Sequence, residues 1–336
     1  MYKVTVAVDA MGGDFAPAEI VRGAREAAVE KRDADILIVG RVKEIEAALP
    51  AHDMVENLKV ISADEAIGME EEPVRAVRTK KNSSLMVGFR LMKEGAADAL
   101  VSAGNTGAVM TAALFMLGRA EGIDRPAIGA VIPTYGGDML LLDAGANANV
   151  KADNLVEFAK MGTAFAKGVL AKENPKVGLV SIGEEPGKGN ALVKSAYPLL
   201  EKAGVNFAGN VEGRDIPFGR VDVAVCDGFV GNVILKTLEG TSEAILKRFR
   251  DAVSESLQSR IGGLLLLPTI RKLKKDTDPE EHGGAILLGV DGIVIIAHGR
   301  SNARAIENAI YRAIRSVESK VVENIVKSLK GEDEAV

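Results

Sequence analysis

Apolar and polar positions along the chain fall into a repeating order of short strand, polar loop and helix. Residues 3–9 set Val4, Val6 and Val8 on one side of an extended segment, the two-residue period of a strand. A helical pattern follows to about residue 30 with Pro17 near its start, and apolar runs at 36–40 and 58–62 flank a helical stretch at 42–49. Residues 70–84 are a polar, proline-containing connection, after which 85–94 reads as helix, 99–102 as strand and 108–117 as a smooth apolar helix. Strands at 127–132 and 139–143 flank the Gly136-Gly137 pair, which suits a tight hairpin, so the expected sheet is mixed. Helix at 153–170, strand at 176–182, helix at 191–202 and strands at 205–211 and 221–226 lead into a long helix. A last unit pairs a strand at 293–297 with a helix at 302–329. This winding predicts an α/β fold, a mixed and mostly parallel sheet with helices on both faces. Residues 1–330 are expected to form a single α/β domain with a helical hairpin inserted at about 240–282, and 331–336 a loose tail.

Five apolar runs end in loops rich in Gly, Asn and Asp: DAMGGD at 9–14, SAGNTG at 102–107, SIGEEPGKGN at 181–190, CDGFVGN at 226–232 and AHGRSN at 297–302. Loops that follow parallel strands leave by the carboxyl edge of the sheet, so the five are expected along one wall. Glycine lets backbone N–H groups approach a ligand, and helix N-termini attract negative charge. The expected guest is a phosphate, with Asp9, Gly12, Gly13, Asp14, Gly104, Asn105, Thr106, Gly107, Asp227, Gly228 and Gly231 as candidate binding positions.

One region departs from the rhythm. Between 247 and 275 stand Lys247, Arg248, Arg250, Arg260, Arg271, Lys272, Lys274 and Lys275 against Asp251 and Glu255, around the apolar string IGGLLLLP at 261–268. Two readings fit: a surface for lipid headgroups or an acidic partner, contacted through Arg260, Leu264, Leu265, Leu266, Leu267 and the 271–275 cations, or a hairpin buried between two copies. Arg75, Arg78, Lys80 and Lys81 form a second cationic cluster, which reads as a solvated face or, ahead of the NSS string, as a place to gather an anion.

Composition narrows the class. The 336 residues are 47% hydrophobic and 26% charged, ordinary globular usage, and the net charge of −5 gives no general attraction to nucleic acid. Cys226 is the only cysteine, so no internal disulfide forms. The start of the chain has no signal-peptide pattern and no apolar run reaches the ~18 residues of a membrane span, so a cytoplasmic location is expected.

Several familiar chemistries are excluded. Gly183 and Gly187-Lys188 are one residue too close for a P-loop, and Gly189 replaces its hydroxyl residue. No GxGxxG follows the first strand, no GxSxG occurs, and His52, His282 and His298 lack metal-site spacing. No metal and no cofactor are expected. Cys226 ends an apolar strand and reads as a buried filler. Lys188, between two glycines, has freedom to reach a phosphate or a developing oxyanion. Asn105 and Asn232 stand at helix starts, where capping competes with ligand binding as their explanation, and His298 shares its loop with Arg300, Ser301 and Asn302.

These loops resemble the PlsX family of bacterial phosphate acyltransferases. The matching strings are VDAMGGDFAP at 8–17, EEPVRAVRTKKNSS at 71–84, DALVSAGNTGAVMTAALF at 98–115, GIDRPAI at 122–128, LLLDAGAN at 140–147, CDGFVGNVILKTLEG at 226–240 and GGAILLGV at 283–290. One departure is Phe15, where the family has a histidine, so no side-chain proton donor stands there. The resemblance implies a fold like those of phosphotransacetylase and the isocitrate and isopropylmalate dehydrogenases, commonly dimeric. It also implies transfer of a fatty acyl group from acyl carrier protein to inorganic phosphate, and peripheral contact with the membrane through an apolar helical tip, for which 261–268 is the matching piece. The acyl phosphate then serves a membrane glycerol-3-phosphate acyltransferase. Within that chemistry Lys188, Asn190, Asn232 and His298 are the candidate catalytic residues. The HxxxxD motif of direct glycerol phosphate acylation is absent. The competing readings are phosphotransacetylase-like transfer from acyl-CoA, a dehydrogenase on the same fold, and a non-catalytic scaffold that binds acyl carrier protein at the membrane.

Overall fold

A computed structural model of the chain describes residues 3–49, 55–277 and 283–330; for 257 and 270–277 it describes only the helical backbone. His52, His282, the far limit of the expected hairpin and the tail at 331–336 lie outside the described residues.

The expected order of elements is present. Strand β1 (Val4–Asp9) leads through a loop to α1 (Ala18–Glu30), and β2 (Ala34–Gly40), α2 (Val42–Ala48) and β3 (Leu58–Ser62) follow. The polar connection contains a helix that the apolar pattern does not show, α3 (Pro73–Thr79). Pro73 opens it, and the Glu72 carboxylate caps it by accepting from the amides of Val74 and Arg75. Next come α4 (Ser84–Lys93), β4 (Ala99–Ser102) and α5 (Thr106–Met116), then the hairpin of β5 (Ala127–Thr134) and β6 (Gly137–Leu142). Gly137 takes φ 104° at that turn, a conformation open to glycine. Helix α6 (Ala152–Gly168), β7 (Val177–Ser181), α7 (Ala191–Leu200), β8 (Phe207–Glu212), β9 (Val223–Val225), α8 (Gly228–Ser254) and α9 (Leu257–Thr277) complete the middle of the chain. The last elements are β10 (Ala285–Leu288), β11 (Ile293–Ile296), α10 (Ala303–Glu318) and α11 (Val321–Lys330). The single helix expected at 302–329 is two, because Lys320 turns the backbone to φ 51°.

Among the described residues eleven strands join one sheet in the order β3-β2-β1-β4-β11-β10-β5-β6-β9-β7-β8. Alternate residues serve opposite faces, as a pleated strand requires. Val6 and Val8 enter a core with α1, α2, α6, α7, α10 and α11, whereas Ala7, Leu37, Val39 and Leu100 enter a second core under α3, α4 and α5. On that second face α8 lies over β6 and β9, and its Leu235 packs against the clusters on both sides.

Strand direction corrects one expectation. β11 is parallel to β4 and antiparallel to β10, β10 is antiparallel to β5, and β5 is antiparallel to β6. Strands β9, β7 and β8 then follow β6 in parallel. The strands β1, β4 and β11 therefore run opposite to β6, β7 and β9, and their loops leave by opposite edges. The glycine loops do not share one wall.

Helices α8 and α9 pack on each other as a hairpin. Gly263 permits the close crossing, since a Cβ there would lie 2.4 Å from Val253 Cγ1. Ile261, Leu264, Leu265 and Leu266 are exposed, with Leu265 78% accessible, while Leu267 is half-buried. Among the described residues no helix is long and apolar enough to cross a membrane.

Candidate functional site

The loops after β1, β4 and β11 converge. Gly12 lies so close to the next loop that a Cβ would meet Gly104 N at 2.7 Å and Gly104 Cα at 2.9 Å. Gly13, at φ 105°, lies against Ala103 and Gly299, and the Asp14 amide donates to Gly299 O at 2.7 Å. Asn105 ties in a fourth segment. Its Oδ1 caps α5 by accepting from Ala108 N at 3.0 Å, and its Nδ2 donates to the carbonyls of Met69 and Glu71. Gly107 sits against Pro73, whose Cγ is 2.7 Å from the place a Cβ would occupy. The result is a set of loops drawn together around the N-terminus of α5, where the amides of Thr106 and Gly107 have no acceptor within the helix.

Asp9 anchors this surface from below. It is buried and accepts from Ser102 Oγ at 2.7 Å and from Met11 N at 3.2 Å, and Ser102 Oγ in turn accepts from Gly104 N at 3.1 Å. Burial pushes the Asp9 carboxyl up from its usual value, opposed by hydrogen bonds from Ser84, Ser102 and the Met11 and Gly12 amides. Asp9 thus shapes two loops at once instead of facing solvent. Asp14 and Thr106 are exposed at the rim.

His298 is exposed, and its Nδ1 accepts from the Arg300 amide at 3.2 Å, which leaves Nε2 as the protonated nitrogen of the neutral ring. Arg300 is exposed and is the only Lys or Arg in the three converging loops. The sequence marks Ser102 and Arg300 only faintly, as a serine ending an apolar strand and a lone cation in an anion-favouring loop, and gives no mark to Ser84.

The other candidates gather at the opposite edge, beyond β6, β9 and β7. Asp143, completely buried, accepts from the amides of Ile128, Gly145, Ala146 and Asn147 and from Asn147 Nδ2 at 2.7–3.1 Å. Onto this DAGAN loop sits the start of α8. Asp227 caps the helix through Val230 N at 2.9 Å, and Gly228 N donates to Asn147 O at 2.8 Å. A Cβ on Gly231 would lie 1.9 Å from Asp143 O, and one on Gly228 would lie 2.8 Å from Asn147 N. Packing therefore explains both glycines. Asn232 is exposed just past the first turn of α8, beside Gly145, and does not cap the helix. Cys226 is buried beneath them, its thiol pushed well up by burial and by the Asp227 and Asp143 carboxylates, which makes it a poor nucleophile.

Lys188 and Asn190 follow β7 and are exposed; Asn190 Oδ1 caps α7 through Val193 N at 2.9 Å. Six strand spacings of about 4.8 Å separate β4 from β7, roughly 29 Å along the sheet. The structure therefore does not bring Lys188 and Asn190 to the Gly104 loop of the same chain. Arg260 donates to Ser254 O within the hairpin, and the Arg271, Lys272, Lys274 and Lys275 side chains lie outside the described residues. No group of three or more His, Cys, Asp and Glu among the described residues could hold a metal ion. A surface hollow of about 520 Å3 lies among Glu121, Asp153, Glu157, Lys160 and Lys330, away from all five loops.

Known proteins share both the sequence and the fold. A phosphate acyltransferase of Desulfitobacterium hafniense (strain Y51) is 50% identical over 325 residues, 96% of this chain and 97% of that protein. A phosphate acyltransferase of Gloeothece citriformis is 48% identical over 326 residues, 96% and 93% of the two chains. Among solved structures, a phosphotransacetylase from Streptococcus pyogenes superposes with TM-score 0.62 at 17% identity, covering 94% of each chain. A 4-hydroxythreonine-4-phosphate dehydrogenase from Klebsiella pneumoniae gives TM-score 0.55 at 13% identity, covering 94% of this chain and 98% of that one. These two establish the α/β fold. The model of a family described as fatty acid synthesis protein matches residues 4–324, and with the relatives' identity it places the chain in the PlsX family of phosphate acyltransferases.

Proposed function

We propose that the protein transfers a fatty acyl group from acyl carrier protein to inorganic phosphate, giving an acyl phosphate for phospholipid synthesis. The observation that carries this reading is the backbone cradle at the start of α5, where Gly12 has no room for a side chain against Gly104, Gly13 takes φ 105°, and the helix presents amides to an anion. The first-turn amides of Thr106 and Gly107 hold phosphate, with Arg300 supplying the positive charge. Asp9 and Ser102 fix the loops, which makes them positioning residues.

Phosphate is already an anionic nucleophile, so no acyl-enzyme is required. One of its oxygens bonds to the thioester carbonyl carbon, the carbonyl oxygen becomes an oxyanion, and collapse breaks the C–S bond. The carrier leaves as a thiolate that takes a proton from solvent. Nε2–H of His298 is the donor on these loops for the oxyanion; one such donor is worth about 3 kcal/mol, and positioning roughly 7–11 kcal/mol.

Two further expectations belong to this reading. The exposed Leu264, Leu265 and Leu266 between basic flanks suit peripheral contact with the cytoplasmic membrane, and a homodimer is the expected assembly. The reaction itself is tested by free-thiol release from acyl carrier protein thioester. Strict dependence on phosphate with formation of acyl phosphate is expected; release without phosphate, or a clear preference for acyl-CoA, overturns the reading.

A further inference from the structure

Beside the cradle lies a surface that neither the fold nor the chemistry requires. Pro73 presses the first turn of α3 against the first turn of α5, so the outward faces of the two helices continue directly from the proposed phosphate site. Arg75 and Arg78 of α3 and Lys81 just after it are exposed, and no carboxylate lies within ion-pair distance of them among the described residues. Lys80, by contrast, turns inward to Glu71 and the Ala66 carbonyl. Interleaved with these cations are exposed apolar side chains: Val74 on α3, and Leu114 and Phe115 on α5, Phe115 being 57% accessible. The Arg78 guanidinium stands 5.7 Å from the Phe115 ring centroid, a stacking that holds both groups in place. Two acids flank the patch: Glu72, occupied as the cap of α3, and exposed Glu70.

We propose that this α3–α5 face is the docking surface for the acyl carrier protein, an acidic partner whose thioester arm then enters the adjacent cradle. This rests on the functional reading above, and it selects one face over the basic hairpin α8–α9. The chain as a whole carries −5, so three cations without carboxylate partners around an apolar centre, with Glu70 and Glu72 kept to one edge, give this face a direction in an otherwise repulsive field. Its position also solves a geometric need, because the carrier must deliver the carbonyl to phosphate at the start of α5.

The test compares the full-length protein with its Arg75→Glu/Arg78→Glu/Lys81→Glu variant on three substrates: acyl carrier protein thioester, a short pantetheine thioester, and phosphate. At about 0.01 M salt, where screening reaches ~30 Å, the variant's KM for the carrier substrate should rise at least ~10-fold. At about 1 M salt, where screening reaches ~3 Å, the two proteins should converge. Turnover and KM for phosphate and for the pantetheine thioester should stay within about 2-fold, which also reports an intact fold. Phe115→Ala should raise the carrier KM equally at both salt levels. An unchanged carrier KM, an equal loss on the pantetheine thioester, or a change in oligomeric mass by sedimentation each overturns the docking assignment; the last would make the face an interface between copies. If the wild-type protein transfers from neither thioester, the functional reading itself fails.

Discussion

Replacing Gly12 by alanine tests the cradle directly. The added methyl carbon would lie 2.7 Å from Gly104 N, 2.9 Å from Gly104 Cα and 2.7 Å from Asp9 Oδ2, against ordinary contacts of about 3.5 Å. Two of these neighbours are backbone atoms, so the loops after β1 and β4 must part by roughly 0.6–0.8 Å, the difference between that contact and these distances. Overpacking of this kind costs about 1–3 kcal/mol of stability. A displacement near 1 Å in a positioned site lowers the rate about 100-fold, or ~2.7 kcal/mol of barrier. Gly187→Ala is the matched control, since nothing lies within 4 Å of its Cβ position. The assay is phosphate-dependent thiol release with saturating carrier thioester, beside thermal unfolding of each variant. Gly12→Ala should lose about 100-fold in kcat while Gly187→Ala stays within about 2-fold. If Gly12→Ala loses stability yet keeps kcat within about 3-fold, the cradle does not position the reaction.

Other substitutions separate structure from chemistry. Gly231→Ala, whose Cβ would sit 1.9 Å from a backbone oxygen of buried Asp143, should cost at least about 3 kcal/mol in urea unfolding; a loss under ~1 kcal/mol would show that α8 shifts freely. Arg300→Gln should raise KM for phosphate and lower kcat, about 10-fold or more in kcat/KM, whereas Lys188→Ala should leave kcat within about 2-fold; the reverse ranking would move the chemistry to the opposite edge. Asp9 gives a pH signature. Its folded-state carboxyl is raised, so its stabilising contribution is complete below the unfolded value of 3.8 and is lost as pH rises through the folded value. Asp9→Asn removes that loss, so its stability relative to wild type should improve between pH 4 and neutrality; parallel stability curves would contradict the assignment.

Much of this organisation is legible in the residues. Apolar period gives ten of the strands within a few positions, and Asn105 reveals itself as a cap because a short polar side chain before a helix has that use, whereas Asn232 lies inside α8, whose cap is Asp227. Strand direction is not legible. A strand reads the same whichever way it runs, and the reversal here depends on β10 and the β5–β6 hairpin lying between the two halves. Helix α3 hides in a polar stretch because its stability comes from the Glu72 cap and contact with α5, not from an apolar period of its own. The break at Lys320 has no glycine to mark it.

The glycines show why a binding loop and a packing loop look alike in sequence. Both DAMGGD and CDGFVGN follow buried strands and open helices, and in both a Cβ would collide with backbone. What differs is where the surrounding amides go. At the α8 edge Asp143 draws in four backbone amides of the chain, and Gly228 N bonds to Asn147, so the negative charge is supplied by the protein itself. At the α5 edge the buried carboxylate takes the Met11 and Gly12 amides, and the helix start beyond them faces outward. An anion arriving at the first edge meets a site already filled by an aspartate; at the second it meets open amides and Arg300. Damage to CDGFVGN should therefore register first as lost stability and a misplaced α8–α9 hairpin, and damage to DAMGGD as lost turnover in a folded protein.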